Sequence, residues 1–146
     1  MLNNAIKHQI RELNISDYSE VIELWKNTEG LSMDESDSYE NMTTFLNRNP
    51  KLSYVATFDN KIIGTIKCAQ DGRRGYISHM AILPQFRSSG IAKELYNKSL
   101  NELRTQGIWK CNLYVLGSNP QALGFWKHNG WKELENNFKT LQKDLK

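Results

Sequence analysis

The residues with the most chemical potential per position are Arg87-Ser88-Ser89-Gly90-Ile91-Ala92. An apolar run from Met80 to Leu83 precedes them, and Pro84 stops it because proline cannot donate to a strand ladder. After them Ile91, Leu95, Tyr96, Ser99, Leu100 and Leu103 recur at helical spacing. The pattern is a strand, a short polar turn and a helix N-terminus. Backbone N–H groups at such a terminus lack intrahelical partners, and the helix dipole is positive there. The arrangement suits an anion, above all a phosphate. Gly90 would let the backbone approach that anion closely, and small Ala92 would keep the next turn clear. The competing reading is an ordinary helix start containing a glycine, because motifs of this length recur by chance.

Composition narrows what else the chain does. The net charge of +3 over 146 residues is mild and falls short of the footprint of a dedicated nucleic-acid binder. The basic hairpin Gly72-Arg73-Arg74-Gly75-Tyr76 is the one stretch that argues for nucleic acid. Cys68 and Cys111 sit in apolar, strand-like runs with no C-x-x-C, which reads as reduced core thiols in a cytoplasmic protein. His8, His79 and His128 have no metal-ligand spacing, so no metal is expected. No apolar run reaches signal-peptide or membrane-span length, and neither a repeat nor a linker divides the chain. A single domain over residues 1–146 is expected.

The elements that would position the turn follow from periodicity. Residues 5–13 alternate as a first strand. Ser16 or Asp17 reads as the N-cap of a helix carrying Tyr18, Val21, Ile22 and Trp25, with Glu20 as its capping partner and Gly30 at its end. After the acidic loop Glu29, Asp34, Glu35 and Asp37, a second helix begins near Ser36–Ser38 and stops at Asn49-Pro50. Strands over 52–58, 62–69 and 76–83 are joined by hairpin turns at Asp59-Asn60-Lys61 and Asp71-Gly72-Arg73-Arg74-Gly75. A helix from Gly90 to about Thr105, a strand around Cys111–Val115 and a helix opened by Ser118-Asn119-Pro120 come next. Trp131–Leu134 and Phe138–Leu145 read as two final strands. The order β-α-α-β-β-β-α-β-α-β-β makes an α/β chain with a mixed, mostly antiparallel sheet flanked by helices.

With these elements in place the chain resembles the GNAT superfamily of N-acetyltransferases. Arg87-Ser88-Ser89-Gly90-Ile91-Ala92 is similar to the family's acetyl-CoA signature, Q/R-x-x-G-x-G/A after a strand. Asn119-Pro120-Gln121-Ala122-Leu123-Gly124-Phe125-Trp126-Lys127-His128-Asn129-Gly130-Trp131 is similar to its N-x-x-A-x-x-F-Y-x-x-x-G-F helix. The hairpin Asp71–Ile77 resembles an uncharacterised bacterial branch. The resemblance implies acetyl transfer from acetyl-CoA, the co-substrate, to a primary amine of a small molecule or a protein, by direct attack on the thioester. It implies that N–H groups of Arg87, Ser88, Ser89, Gly90, Ile91 and Ala92 wrap the pyrophosphate. It also implies that pantetheine adds along the main chain of Met80, Ala81 and Ile82. A backbone N–H near Met80 or Ala81 would then polarise the acetyl oxygen. Asn119 would bond the cofactor arm or serve only as a helix cap.

Two positions depart from the family pattern. Trp126 stands where many relatives place the tyrosine that protonates the leaving thiolate, and an indole N–H is no acid near neutral pH. Tyr114 is a substitute donor. A glutamate often found on the binding strand is missing. In a regular strand Tyr76, Ser78 and Met80 share one face, and His79 points away unless a bulge re-aims it. Tyr76 and His79 are therefore the catalytic candidates, His79 having the right intrinsic pKa for a base, and a water-mediated route through Tyr76 or Ser78 is also open. The other reading of His79 is a sheet histidine with its hydrogen bonds satisfied. The resemblance sets the loop 29–37 over the acceptor, where its carboxylates would either attract a cationic amine or form a solvated face. A non-catalytic acyl-CoA sensor or regulatory module is the alternative function. The oligomeric state stays open between monomer and homodimer.

Overall fold

The computed structural model describes residues 7–136 and 138–146. The chain divides into two compact units, one ending at Tyr114 and one beginning at Val115.

The first unit holds strands β1 (Gln9–Glu12), β2 (Tyr54–Phe58), β3 (Lys61–Gln70), β4 (Gly75–Ile82) and β5 (Cys111–Leu113), with helices α1 (Tyr18–Lys26), α2 (Tyr39–Arg48) and α3 (Ile91–Thr105). The strands form one sheet in the order β1-β2-β3-β4-β5. Hairpin-linked neighbours pair antiparallel, and β4 pairs with β5 in parallel after the α3 crossover. This is the mixed, mostly antiparallel sheet that the strand pattern requires. No described helix is long and apolar enough to cross a membrane.

The α1 and α2 helices cover one face of the sheet. Val21, Leu24 and Trp25 from α1 and Met42 from α2 bury against Leu13, Val55, Ile62 and Ala81. Each such side chain contributes about 1.5–3 kcal/mol by leaving water. On the other face lie Ile91, Leu95 and Leu103 of α3, all buried. A Cβ on Gly75 would come within 2.5 Å of Leu103 Cδ1, so glycine there lets α3 lie close to β4. Ser99, which falls on the apolar face of α3, is fully buried and donates to the Leu52 carbonyl at 2.7 Å.

Several boundaries differ from the sequence reading for local reasons. The first helix starts after a 3-10 turn, Ile15–Asp17, and the Asp17 carboxylate reaches back to the Asn14 N–H at 2.9 Å. Glu20 is therefore no capping partner; its carboxylate accepts from the Ile62 N–H at 3.0 Å, tying α1 to β3. The expected first strand shortens to β1, and its residues before Lys7 lie outside the described ones.

The second unit holds α4 (Pro120–His128), opened by the Asn119 side chain, which accepts from the Ala122 N–H at 3.1 Å. The final two strands expected over Trp131–Leu134 and Phe138–Leu145 do not form among the described residues. Leu134, Phe138, Leu141 and Leu145 are all exposed, so no buried face holds an extended register there.

Candidate active site

The centre of the first unit is an irregularity in β4. Thr65 faces Ala81 and Lys67 faces Ser78, so two β4 residues, His79 and Met80, oppose the single Ile66. This is a β-bulge, and His79 takes φ +50 to make it. Few non-glycine residues adopt that conformation, histidine more readily than most, and surrounding contacts hold it here. Buried Thr65 does so: its hydroxyl donates to the His79 carbonyl at 2.9 Å and accepts from the Trp25 indole N–H at 2.8 Å.

The bulge turns His79 toward α1, so it shares a face with Ser78. Its ring lies 4.5 Å from the Trp25 ring, centroid to centroid. Its Nε2 is 3.1 Å from Asp37 Oδ1, which is also 3.4 Å from Lys67 Nζ. Asp37 and Lys67 are both buried. The four-carboxylate loop thus separates into different roles. Asp37 closes a 3-10 turn, Glu35–Asp37, and its Oδ2 accepts from the Asp34 N–H at 3.2 Å. Glu29, Asp34 and Glu35 remain exposed.

Neither ring nitrogen of His79 makes an aligned hydrogen bond among the described residues, and both are closed to solvent. A buried polar atom left unpaired costs about 1–3 kcal/mol, which makes it a candidate for function. Burial pushes the imidazole below its ordinary pKa; Asp37 opposes this and Lys67 adds to it. The net shift favours the neutral ring. Tyr76 does not join it. The Tyr76 hydroxyl donates to Asp71 Oδ2 at 3.0 Å in the β3–β4 turn, about 10 Å back along the strand.

The far end of β4 is open. Its parallel pairing with β5 covers only Gly75, Tyr76 and Ile77, and from Ser78 to Ile82 no described strand bonds that edge. The Leu83 N–H bonds the Ile63 carbonyl at 2.8 Å, so by alternation Ala81 faces β3 and Ile82 faces the open edge. The His79 carbonyl points at Thr65, and in a trans peptide the following N–H, that of Met80, points the opposite way. The open edge therefore carries main-chain groups of Met80 and Ile82, with Ala81 occupied in the ladder. The Ile82 carbonyl already accepts from Arg87 Nε at 3.0 Å.

The edge runs into the polar turn. Pro84–Phe86 form a 3-10 turn that spends the Arg87 N–H on the Pro84 carbonyl at 3.2 Å. Ser88 at φ +61 and Gly90 at φ +86 then reverse the chain. The N–H groups from Ser88 to Lys93 have no acceptor among the described residues, and Ser89 Oγ bonds the Phe86 carbonyl. Open space lies where a Gly90 side chain would stand. Successive unpaired N–H groups in such a turn make an anion nest at the α3 terminus.

A family model described as "Acetyltransferase (GNAT) family" matches residues 8–131. The chain belongs to that family. Among solved structures, the GNAT fold here is similar to the PaiA N-acetyltransferase of Thermoplasma acidophilum in complex with coenzyme A. That match has 22% identity, a TM-score of 0.78, and coverage of 90% of this chain and 93% of that one. It is also similar to the aminoglycoside N-acetyltransferase AAC(6')-Iy in complex with CoA, at 18% identity and TM-score 0.78, covering 99% and 100%. A GNAT-family acetyltransferase from Staphylococcus aureus Mu50 matches at 20% identity and TM-score 0.76, covering 94% and 95%. At these identities the likeness shows the fold.

Within the GNAT chain, Asn119 and Trp126 lie in the second unit. There Asn119 caps α4, and the buried Trp126 ring packs 5.1 Å from both Phe125 and Trp131. Sequence reasoning missed Asp37, Lys67 and Thr65. Asp37 was visible only as one carboxylate among four, and Lys67 and Thr65 carry no local signal of burial.

Proposed function

We propose that this GNAT protein is an N-acetyltransferase that moves an acetyl group from acetyl-CoA to a primary amine, the chain of residues 1–146 acting as one catalytic domain. The observation that carries this is a pair of unpaired main-chain stretches joined by the bonded turn Pro84–Phe86: the open β4 edge at Met80 and Ile82, and the N–H nest at Ser88–Lys93. Its order matches an acyl–pantetheine arm followed by a pyrophosphate. Neighbouring folds are solved with coenzyme A. The reading of Arg87, Ser88, Ser89, Gly90, Ile91 and Ala92 as the phosphate turn is supported by the N–H groups from Ser88 onward. Arg87 contributes instead by its guanidinium on the Ile82 carbonyl. Asn119 and Trp126 join the cofactor set on the family resemblance alone.

In the reaction the amine nitrogen attacks the thioester carbonyl, a C–N bond forms and the C–S bond breaks. The Met80 N–H, on the open edge, stabilises the oxyanion as charge builds. Neutral His79 takes the proton that the neutral amine's nitrogen sheds once the C–N bond has formed. Its misaligned contact with Asp37 is typical of a ligand-free enzyme, in which catalytic hydrogen bonds tighten on substrate binding. The thiolate leaves without an acid from Trp126, since a thiol of pKa about 8.5 is a fair leaving group. Tyr76, committed to Asp71, takes no part in proton transfer. The acceptor amine is of the class that neighbours' names print: an aminoglycoside derivative in one structure and a peptide in another. Cytoplasmic location is supported by the free cysteines Cys68 and Cys111, whose thiols burial pushes up to about 12 and about 11.

Two measurements test this. Calorimetry is expected to give saturable acetyl-CoA binding; none at millimolar concentration ends the proposal. A thiol-release assay over an amine panel is expected to show turnover, whereas binding without release with any amine would favour an acyl-CoA sensor.

A further inference from the structure

We propose that Asp37 and Lys67 are positioning residues for His79, a buried pair that fixes its ring from the acceptor-side loop and balances the charge it meets. The proposal rests on reading His79 as the base. Asp37 Oδ1 sits between the two partners, 3.1 Å from His79 Nε2 and 3.4 Å from Lys67 Nζ. Asp37 is held by three further contacts. Its Oδ2 accepts from the Asp34 N–H at 3.2 Å, the Tyr18 phenol donates to the Asp37 carbonyl at 2.8 Å, and the 3-10 turn closes the backbone. Lys67 is held too, its Nζ lying 4.3 Å from the centroid of the Phe45 ring.

The chemistry follows from the signs. An anionic oxygen beside Nε2 selects the tautomer with hydrogen on Nε2, which leaves the Nδ1 lone pair to accept a proton. Asp37 favours the protonated ring and Lys67 disfavours it. The groups acting on His79 are Asp37 and Asp34 from the turn and Lys67 from β3; α1 presents the Trp25 ring, and α2 presents Phe45 to Lys67. With both charges present the pair is neutral, and His79 alone changes the net charge of the cluster. A buried ion pair is retained at little gain in stability, so a role in setting its neighbour explains its presence.

The test is an NMR titration of the full chain with labelled histidine. The three histidines are assigned with His79→Gln, alongside the pH dependence of kcat/KM. Asp37→Asn is expected to lower the His79 midpoint by about one pH unit, and Lys67→Met to raise it by a similar amount. Lys67→Arg should leave it in place. The acid limb of kcat/KM should move with each midpoint. Midpoints that stay fixed, or that move in the same direction in both variants, overturn the proposal. Should either variant not fold, Asp37→Glu, which keeps the charge on a longer arm, is expected to lower kcat with the KM for acetyl-CoA unchanged; an unchanged kcat overturns the proposal. The NMR readout needs no turnover. Opposed shifts together with a fully active His79→Gln would remove His79 as the base and leave the pair's hold on its ring intact.

Discussion

The turns at 34–37 and 87–90 are alike in sequence: both are short, polar and serine-containing, and both precede a helix. They end in opposite states. In the first, Asp34 caps the Ser36 N–H at 2.8 Å and Asp37 spends both carboxylate oxygens on protein partners. In the second, the N–H groups from Ser88 onward have no acceptor among the described residues. Buried or converging polar groups are normally paired, so the unpaired turn is the one shaped for a ligand. The paired turn is a fixture. It lends the site a carboxylate held from several directions, and His79 lies between the two.

Substitutions can break this contrast. The largest effect is expected from Gly90→Glu. It forces a side chain into φ +86 and sets a carboxylate among the N–H groups proposed to hold phosphate, so calorimetry should find no acetyl-CoA binding at millimolar concentration. Asp37→Ala should instead leave Lys67 buried without its partner and lower stability by about 3 kcal/mol in denaturant unfolding. Acetyl-CoA affinity should be retained in the folded fraction. If Asp37→Ala cost no stability, the first turn would not be a fixture.

Thr65→Val tests the link between the regions. It removes the donor to the His79 carbonyl and the acceptor of the Trp25 indole, for a loss of about 2 kcal/mol. The bulge should relax and kcat should fall more than acetyl-CoA affinity.

A pH effect comes next. The folded pKa of His79 lies below its unfolded value, so between the two the unfolded chain binds more protons. Stability should therefore drop as pH falls below about 6.5 toward the folded value, and His79→Gln should flatten that slope in thermal melts. Tyr76→Phe should be the smallest change, leaving kcat unchanged, because the phenol bonds only Asp71 at the exposed hairpin.

How far the site was legible follows the same division. The polar turn before α3 was readable because everything that makes it is local: a proline, a glycine and the start of an apolar helical stripe within ten residues. The sheet was readable from alternation and turn residues. His79 was a candidate, but its direction was not readable, because that depends on counting β4 against β3, and a bulge is a property of two strands. Asp37 and Lys67 are thirty residues apart, and only the fold reveals that they meet. The last two expected strands failed for a related reason. Phe138, Leu141 and Leu145 stand three and four residues apart, which gives the three no shared strand face, and all three stay exposed, so nothing buried fixes an extended register.

The short β5 has a consequence for how this protein can change over time. Because β5 ends at Leu113, the groups offered along the rest of β4 are peptide groups, which every residue except proline supplies in full. A site read through the backbone is insulated from most point mutations, since replacing Met80 by another apolar residue alters packing and leaves the offered N–H in place. The cluster around His79 has no such insulation, because it is built from the side chains of Trp25, Asp37, Lys67 and His79. Drift is therefore expected to rewrite that side-chain cluster long before it alters the groups offered along the β4 edge.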